Sequence, residues 1–113
     1  MKKFIFFAVL LSNTAFSAEY ADRSKLDTPE MVTCAAAAMK SGQRISVYKV
    51  WVKALDERYK RMRPNMSAKE RDSYTADRVM SKVRALQARG LSTAPAFRQF
   101  YDTNCLPYTP KND

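Results

Sequence analysis

Histidine is absent from this 113-residue chain, and glycine occurs only twice. Without histidine, the chain cannot form a Ser-His-Asp triad, a Cys-His pair or a histidine-containing metal site. Two glycines are too few for a loop that cradles phosphate groups. These absences exclude the commonest catalytic and cofactor-binding arrangements.

A carboxylate pair, as in glycoside hydrolases, is the remaining route to catalysis. The candidates are Asp56/Glu57 and Glu70/Asp72, and both pairs lie among lysines and arginines. Such surroundings are typical of exposed ion pairs rather than of an acid–base site. We therefore expect a non-enzymatic protein with no catalytic residue, no cofactor, no metal ion and no small-molecule substrate.

Long apolar runs are also scarce, and the single one lies near the beginning of the chain. Two lysines precede the run from Phe4 to Leu11, and small and polar residues follow it. This order is that of a secretory signal peptide, and small residues at positions −3 and −1 predict cleavage after Ser17. We expect residues 1–17 to be removed and the mature protein to be periplasmic. No second run approaches the roughly 20 residues of a membrane span, so we expect no stable membrane insertion.

Cysteine occurs only at Cys34 and Cys105. In an oxidising compartment, two cysteines permit one intramolecular disulfide. A redox centre usually has its cysteines close in sequence, and a metal site would need more ligands. We predict a structural disulfide that closes a loop of roughly 70 residues and contributes about 4 kcal/mol to stability.

Acidic residues are outnumbered, with 11 acidic against 20 basic side chains. Loss of Lys2 and Lys3 with the signal peptide leaves a net charge of +7 on the mature protein. A charge this high favours an anionic partner, which could be an acidic protein, a membrane surface, the cell wall or nucleic acid. Nucleic acid is the least expected, because the periplasm seldom contains DNA except during its transfer. The alternative is a solvated basic surface that keeps the protein soluble.

The basic residues are densest between positions 58 and 71, where they form a candidate partner-binding patch. Cations at the end of a helix also complement its dipole, so helix capping is the structural alternative. A second basic line follows at Arg78, Lys82 and Arg89. The candidate patch, called the 58–71 patch below, consists of Arg58, Lys60, Arg61, Arg63, Lys69 and Arg71.

The mature chain is rich in Ala, Met, Lys and Arg, and its apolar spacing predicts an all-α fold. We expect a compact bundle of about four helices tied by the disulfide. The first helix begins with Thr28 as its N-cap and ends at Gly42. Residues 18–27 are expected to be a flexible leader, 28–107 the helical domain and 108–113 a loose tail.

The second helix is predicted from about Arg44 to Met62, and Pro64 stops it. The third runs from the capping box at Ser67 to about Arg89, where Gly90 forms its C-terminal cap. Residues 92–95 open a fourth, short helix, which Pro107 ends. The only tryptophan, Trp51, falls beside the apolar stripe of the second helix, so it is either a core residue or an aromatic anchor at an interface. The predicted stripe of the second helix is Ile45, Tyr48, Val52, Leu55, Tyr59 and Met62, and that of the third is Ala76, Val79 or Met80, Val83 and Leu86, with Tyr74 at its margin.

The export signal at 1–18, the helical pattern and the Cys34/Cys105 pair together give the chain a family resemblance. It resembles the small exported accessory proteins encoded in conjugative-plasmid transfer and type IV secretion regions. The resemblance implies a role supporting an envelope machine, with a protein partner in the cell envelope. The alternative is a periplasmic immunity protein that blocks a secreted wall hydrolase, for which the segments 63–66 and 90–94 are the candidate inhibitory loops.

Overall fold

The computed structural model describes residues 26–110, and this part of the chain is all-α with no strand. The predicted bundle of about four helices is confirmed, while residues 1–25 and 111–113 lie outside the described residues. The predicted signal peptide and most of the predicted leader therefore fall outside it. The helices are α1 (Thr28–Lys40), α2 (Ile45–Met62), α3 (Ala68–Ala88) and α4 (Ala94–Asn104), and a short 3₁₀ turn follows at Leu106–Tyr108.

Two of the helices begin with reciprocal capping boxes. Ser67 and Glu70 form the box predicted for α3. In α1 the N-cap is Asp27 rather than the predicted Thr28, and the Asp27 carboxylate accepts the Glu30 backbone N–H at 2.8 Å. The Glu30 side chain in turn accepts the Asp27 N–H at 2.8 Å. Asp27 displaces Thr28 because a glutamate lies three residues beyond it, which completes the box.

Glycine ends α1 and α3, as the sequence predicts. Gly42 has φ +80° and Gly90 has φ +109°, a conformation that favours glycine. After α3, the Leu91 N–H donates to the Leu86 carbonyl at 3.1 Å and the Gly90 N–H donates to the Gln87 carbonyl at 2.9 Å. This pair of hydrogen bonds is a Schellman motif. It turns the chain sharply toward α4.

The central element is α1, which packs against each of the other three helices. Its four consecutive alanines, Ala35 to Ala38, are all buried. A helix buried on every side must carry small side chains where its neighbours approach closely, and alanine meets this need without loss of helix propensity. Neighbouring helices can therefore approach α1 closely on every side of the Ala35–Ala38 segment.

The disulfide joins α1 to the residue that follows α4. Cys34 and Cys105 are bonded, with a Cα–Cα distance of 5.6 Å and a sequence separation of 71 residues. Both are buried in the core, at 4% and 0% exposure. The predicted pairing is confirmed, and it closes the bundle between its first and last helices.

Trp51 is fully buried, which places it in the core and not at an interface. Its indole N–H donates to the Tyr101 hydroxyl at 2.8 Å. The Tyr101 hydroxyl also forms a hydrogen bond with the Thr109 hydroxyl. Of the two roles that the sequence left open for Trp51, the anchor role is therefore wrong, because no part of the side chain is available to a partner.

The buried face of α2 differs from the predicted stripe at both ends. Ile45 and Met62 are 61% and 55% exposed, whereas Trp51 and Ala54 are buried beside Leu55. Ile45 and Met62 are the first and last residues of α2, so both misplaced positions lie at helix ends, while the middle of the helix carries the core.

The buried face of α3 was also misplaced in its first half. Thr75 is buried, while Ala76 and Met80 are exposed. The core face follows the spacing Thr75, Val79 and Val83, four residues apart. A threonine can occupy a buried helix position since its methyl group packs like that of valine, and its polar class concealed it in the sequence pattern.

The ends of the domain extend beyond the predicted limits of 28 and 107. Leu26 is buried in the core, and Tyr108 and Pro110 are buried at the other end. The prediction of a loose tail from residue 108 is thus wrong as far as residue 110. The predicted stop at Pro107 is also displaced, because α4 ends at Asn104 and Pro107 lies within the 3₁₀ turn.

None of the helices within residues 26–110 is long and apolar enough to cross a membrane.

Candidate functional site

The 58–71 patch spans the end of α2, the turn that follows and the first turns of α3. Its six members have different environments. Arg58 and Arg71 are partly buried, while Lys60, Arg61, Arg63 and Lys69 are exposed. The patch therefore divides into side chains that hold the fold together and side chains that face solvent.

Arg71 is a structural residue that joins α3 to α2. Its guanidinium donates to the Asp56 carboxylate at 2.7 Å and to the Met66 carbonyl at 3.1 Å. The Arg71 side chain is only 11% exposed. These bonds fix the turn between the two helices, and they leave Arg71 little capacity for a partner.

Arg58 performs a similar task at the beginning of α1. Its guanidinium donates to the Leu26 carbonyl at 3.3 Å and to the Thr28 hydroxyl at 3.4 Å. The Thr28 hydroxyl lies 3.6 Å from the Met62 sulfur. Arg58 thus joins the entry of α1 to the end of α2, through contacts between residues 30 and 32 positions apart.

Arg63, the C-cap residue of α2, stacks on an aromatic pair. Its guanidinium carbon lies 5.2 Å from the centre of the Tyr74 ring, a cation–π contact. Tyr74 in turn meets Tyr59 edge to face, with 5.0 Å between ring centres and an interplanar angle of 79°. Tyr59 is buried and belongs to α2, and Tyr74 is half-buried and belongs to α3.

The second basic line of the sequence meets the 58–71 patch at this aromatic pair. Burial raises the pKa of the Tyr59 hydroxyl, and the nearby Tyr74 hydroxyl raises it further. The charges of Arg78 and Arg63 act in the opposite direction and lower the pKa of the same hydroxyl. Both guanidinium charges therefore act on one tyrosine, although the two arginines are 15 positions apart, one at the end of α2 and the other within α3.

Sequence reasoning placed Tyr74 at the margin of the core and did not connect it with Arg63. The available signal was spacing, since Tyr74 and Arg78 are four residues apart and share a face of α3. The proximity of Arg63 depends on how the turn folds, which no local pattern encodes.

The other exposed members of the patch are Lys60, Arg61 and Lys69. None of them forms an ion pair with an acidic side chain of residues 26–110. Together with Arg63, they give this end of the α2–α3 hairpin a positive surface.

One member of each candidate carboxylate pair is engaged in local structure. Asp56 accepts the Arg71 guanidinium, and Glu70 closes the capping box with Ser67. Within residues 26–110 there is no group of three histidine, cysteine, aspartate or glutamate residues that could hold a metal ion. The arrangement supports binding by charge.

No protein-family model, curated protein or solved structure matches the chain. The functional argument consequently depends on the residues and contacts of this molecule.

Proposed function

We propose that this protein is a non-enzymatic periplasmic binding protein, accessory to an envelope machine such as conjugative transfer or type IV secretion. The observation that carries the proposal is the group of exposed cations at the end of the α2–α3 hairpin. Lys60, Arg61, Arg63 and Lys69 all face solvent there. The partner is an envelope protein with an acidic surface.

Several properties support this proposal. The disulfide suits an oxidising compartment and holds a small bundle together without a large core. The order of residues in 1–17 is that of an export signal. Exposed cations on a folded scaffold attract an acidic partner over roughly 10 Å at moderate ionic strength and accelerate its association.

The proposal is tested by capture from the periplasm of the native host, with the mature protein carrying a carboxyl-terminal tag. Mass spectrometry of the exported protein should find a chain that begins at Ala18. Components of a secretion or pilus machine should be enriched at low salt, and a part of them should persist at raised salt because a specific interface also contains apolar contacts.

Recovery of one secreted wall hydrolase instead would replace the proposal with the immunity alternative. Loss of every protein at raised salt would contradict a specific partner, since non-specific attraction between exposed charges is screened by salt. An untagged strain processed in parallel gives the background.

A further inference from the structure

The aromatic pair and its two arginines have the features of a recognition site. We propose that Arg63, Tyr74 and Arg78 bind an acidic segment of a protein partner, in which two carboxylates flank an apolar side chain. This inference rests on the proposed function and names the surface and the chemistry by which the partner is recognised.

Arg63 lies against an aromatic face, since its guanidinium carbon is over the Tyr74 ring at 5.2 Å from the ring centre. A cation–π contact of this kind limits the positions that the guanidinium can take. The guanidinium carries five N–H donors in a planar fork, and a carboxylate can accept two of them in parallel. Arg63 is exposed, so these donors face solvent.

The turn that holds Arg63 is fixed by hydrogen bonds before any partner binds. The Met66 N–H donates to the Arg63 carbonyl at 3.1 Å, and the Arg63 N–H donates to the Tyr59 carbonyl at 2.7 Å. Arg71 holds the far side of the turn through the Met66 carbonyl. A binding group held in place before the partner arrives loses less conformational entropy on binding.

Arg78 supplies a second cation for the proposed site. Arg78 is exposed on α3, one helical turn beyond Tyr74, and its charge acts on the same tyrosine hydroxyl as the charge of Arg63. Two guanidinium groups near one aromatic pair match two carboxylates of a short peptide segment. They match a single isolated carboxylate less well, because one cation would remain unpaired.

Exposed apolar surface next to Arg63 favours a protein partner over an anionic polymer or lipid. Met62, next to Arg63 in the chain, is 55% exposed and is followed two residues later by the exposed Pro64. Arginine, tyrosine and methionine are enriched at protein–protein interfaces, whereas lysine is depleted there. A phosphate polymer has no apolar group to bury this exposed surface, whereas a peptide with an apolar residue between acidic residues would cover it.

The test uses a synthetic peptide in which a leucine lies between two pairs of glutamates. Isotope-labelled mature protein is titrated with this peptide at physiological salt and followed by nuclear magnetic resonance. We expect saturable shifts of the Arg63 and Arg78 side-chain Nε–H signals and of the Met62 methyl signal. Absence of saturable shifts at millimolar peptide, or shifts confined to other surfaces, would overturn the inference.

Matched variants separate a site from general charge. Arg63→Glu/Arg78→Glu and the control Lys53→Glu/Arg84→Glu each reverse one exposed cation on α2 or its cap and one on α3. We expect the first to weaken peptide binding by roughly a hundredfold and the second by less than about threefold. Equal losses in the two variants would show that only the net charge matters.

A conservative variant tests the stacked geometry. Arg63→Lys keeps the charge but loses the planar fork, so we expect binding to weaken roughly tenfold. Unchanged affinity would contradict the role of stacking. Circular dichroism of each variant confirms that the fold is retained.

Two comparator ligands complete the test. Linear polyphosphate and vesicles that contain anionic lipid should not produce the Met62 shift. The choice of a protein partner would be overturned if the peptide did not bind and if either of these ligands bound the wild type more tightly than Arg63→Glu/Arg78→Glu. The inference and the proposed function can fail separately. Capture of a machine component whose recovery is unaffected by Arg63→Glu/Arg78→Glu would discard this site and leave the proposed function standing.

Discussion

At the residue scale, the 58–71 patch shows that one residue type can serve two purposes within 14 positions. Arg71 is largely covered and forms an ion pair with Asp56. Lys69, two positions earlier, is exposed and has no such partner within residues 26–110. A cluster of basic residues in a sequence therefore overstates the number of cations that a partner can reach.

This division predicts different consequences of truncation. Arg71→Ala should lower the free energy of unfolding by about 1–2 kcal/mol, because it leaves the Asp56 carboxylate and the Met66 carbonyl without their donor. Lys69→Ala should change it by less than about 0.5 kcal/mol. Urea denaturation of both variants measures the difference, and equal effects would contradict the structural role of Arg71.

The role of Trp51, as a core residue or an interface anchor, could not be assigned from the sequence. Its position beside the apolar stripe fitted either a core or an interface. Its hydrogen bond to Tyr101, 50 residues away, depends on the packing of α4 against the bundle. Such a long-range partner leaves no periodic signal in either helix.

At the scale of the element, local chemistry predicted the helices well. The capping box at Ser67, the left-handed glycines and the proline after α2 each act within a few residues, so the sequence contains their complete cause. The bounds of α1, α2 and α3 agree with the predicted ones within about two residues.

The faces of the helices were predicted less well. Hydrophobic spacing marks which residues can be buried, but which of them are covered depends on how the neighbouring helices pack. The exposed Ile45 and Met62 are the first and last residues of α2, and Met62 stays exposed although its sulfur lies 3.6 Å from the Thr28 hydroxyl. The contact between Arg63 and Tyr74 likewise depends on how α2 and α3 pack.

The central position of α1 yields a prediction for its alanines. Ala36→Leu should lower the free energy of unfolding by about 1–3 kcal/mol or more, because the added side chain meets packed neighbours and no space exists for it. Ala85→Leu is the matched control, since Ala85 is exposed on α3. Thermal denaturation measures both, and tolerance of leucine at position 36 would contradict burial of α1 on all sides.

At the scale of the whole molecule, the disulfide joins the first helix to the end of the last. The loop it closes has a sequence separation of 71 residues, long enough for a large effect on the unfolded chain. Cys34→Ala/Cys105→Ala should lower the free energy of unfolding by about 4 kcal/mol, which lowers Tm by roughly 15 °C or more. The wild-type protein refolded with and without a reductant provides the control. An unchanged Tm would contradict a stabilising role for the disulfide.

The tyrosines give the molecule a pH dependence. Burial raises the pKa of Tyr48, Tyr59, Tyr101 and Tyr108 above the ordinary value of 10.0. The folded state thus holds these protons more tightly than the unfolded state does. Their contribution to stability is complete below pH 10 and is lost as the pH rises above 10.

We therefore expect an almost constant tyrosine contribution from pH 7 to 9 and a fall in Tm above pH 10. Tyrosinate absorbance near 295 nm should increase together with unfolding. Tyr101→Phe should reduce the steepness of the fall, although it lowers stability at neutral pH because Trp51 loses its acceptor. A Tm that stays level through pH 11 would be inconsistent with the raised pKa values.

The central claim of the account is that a protein partner in the envelope docks on Arg63 and Arg78 of the α2–α3 hairpin. The most direct measurement is quantitative capture from the native periplasm with the wild type, Arg63→Glu/Arg78→Glu and Lys53→Glu/Arg84→Glu side by side. The account predicts that one specific partner is recovered by the wild type and the control and is largely lost by Arg63→Glu/Arg78→Glu. Equal recovery by all three proteins would contradict it.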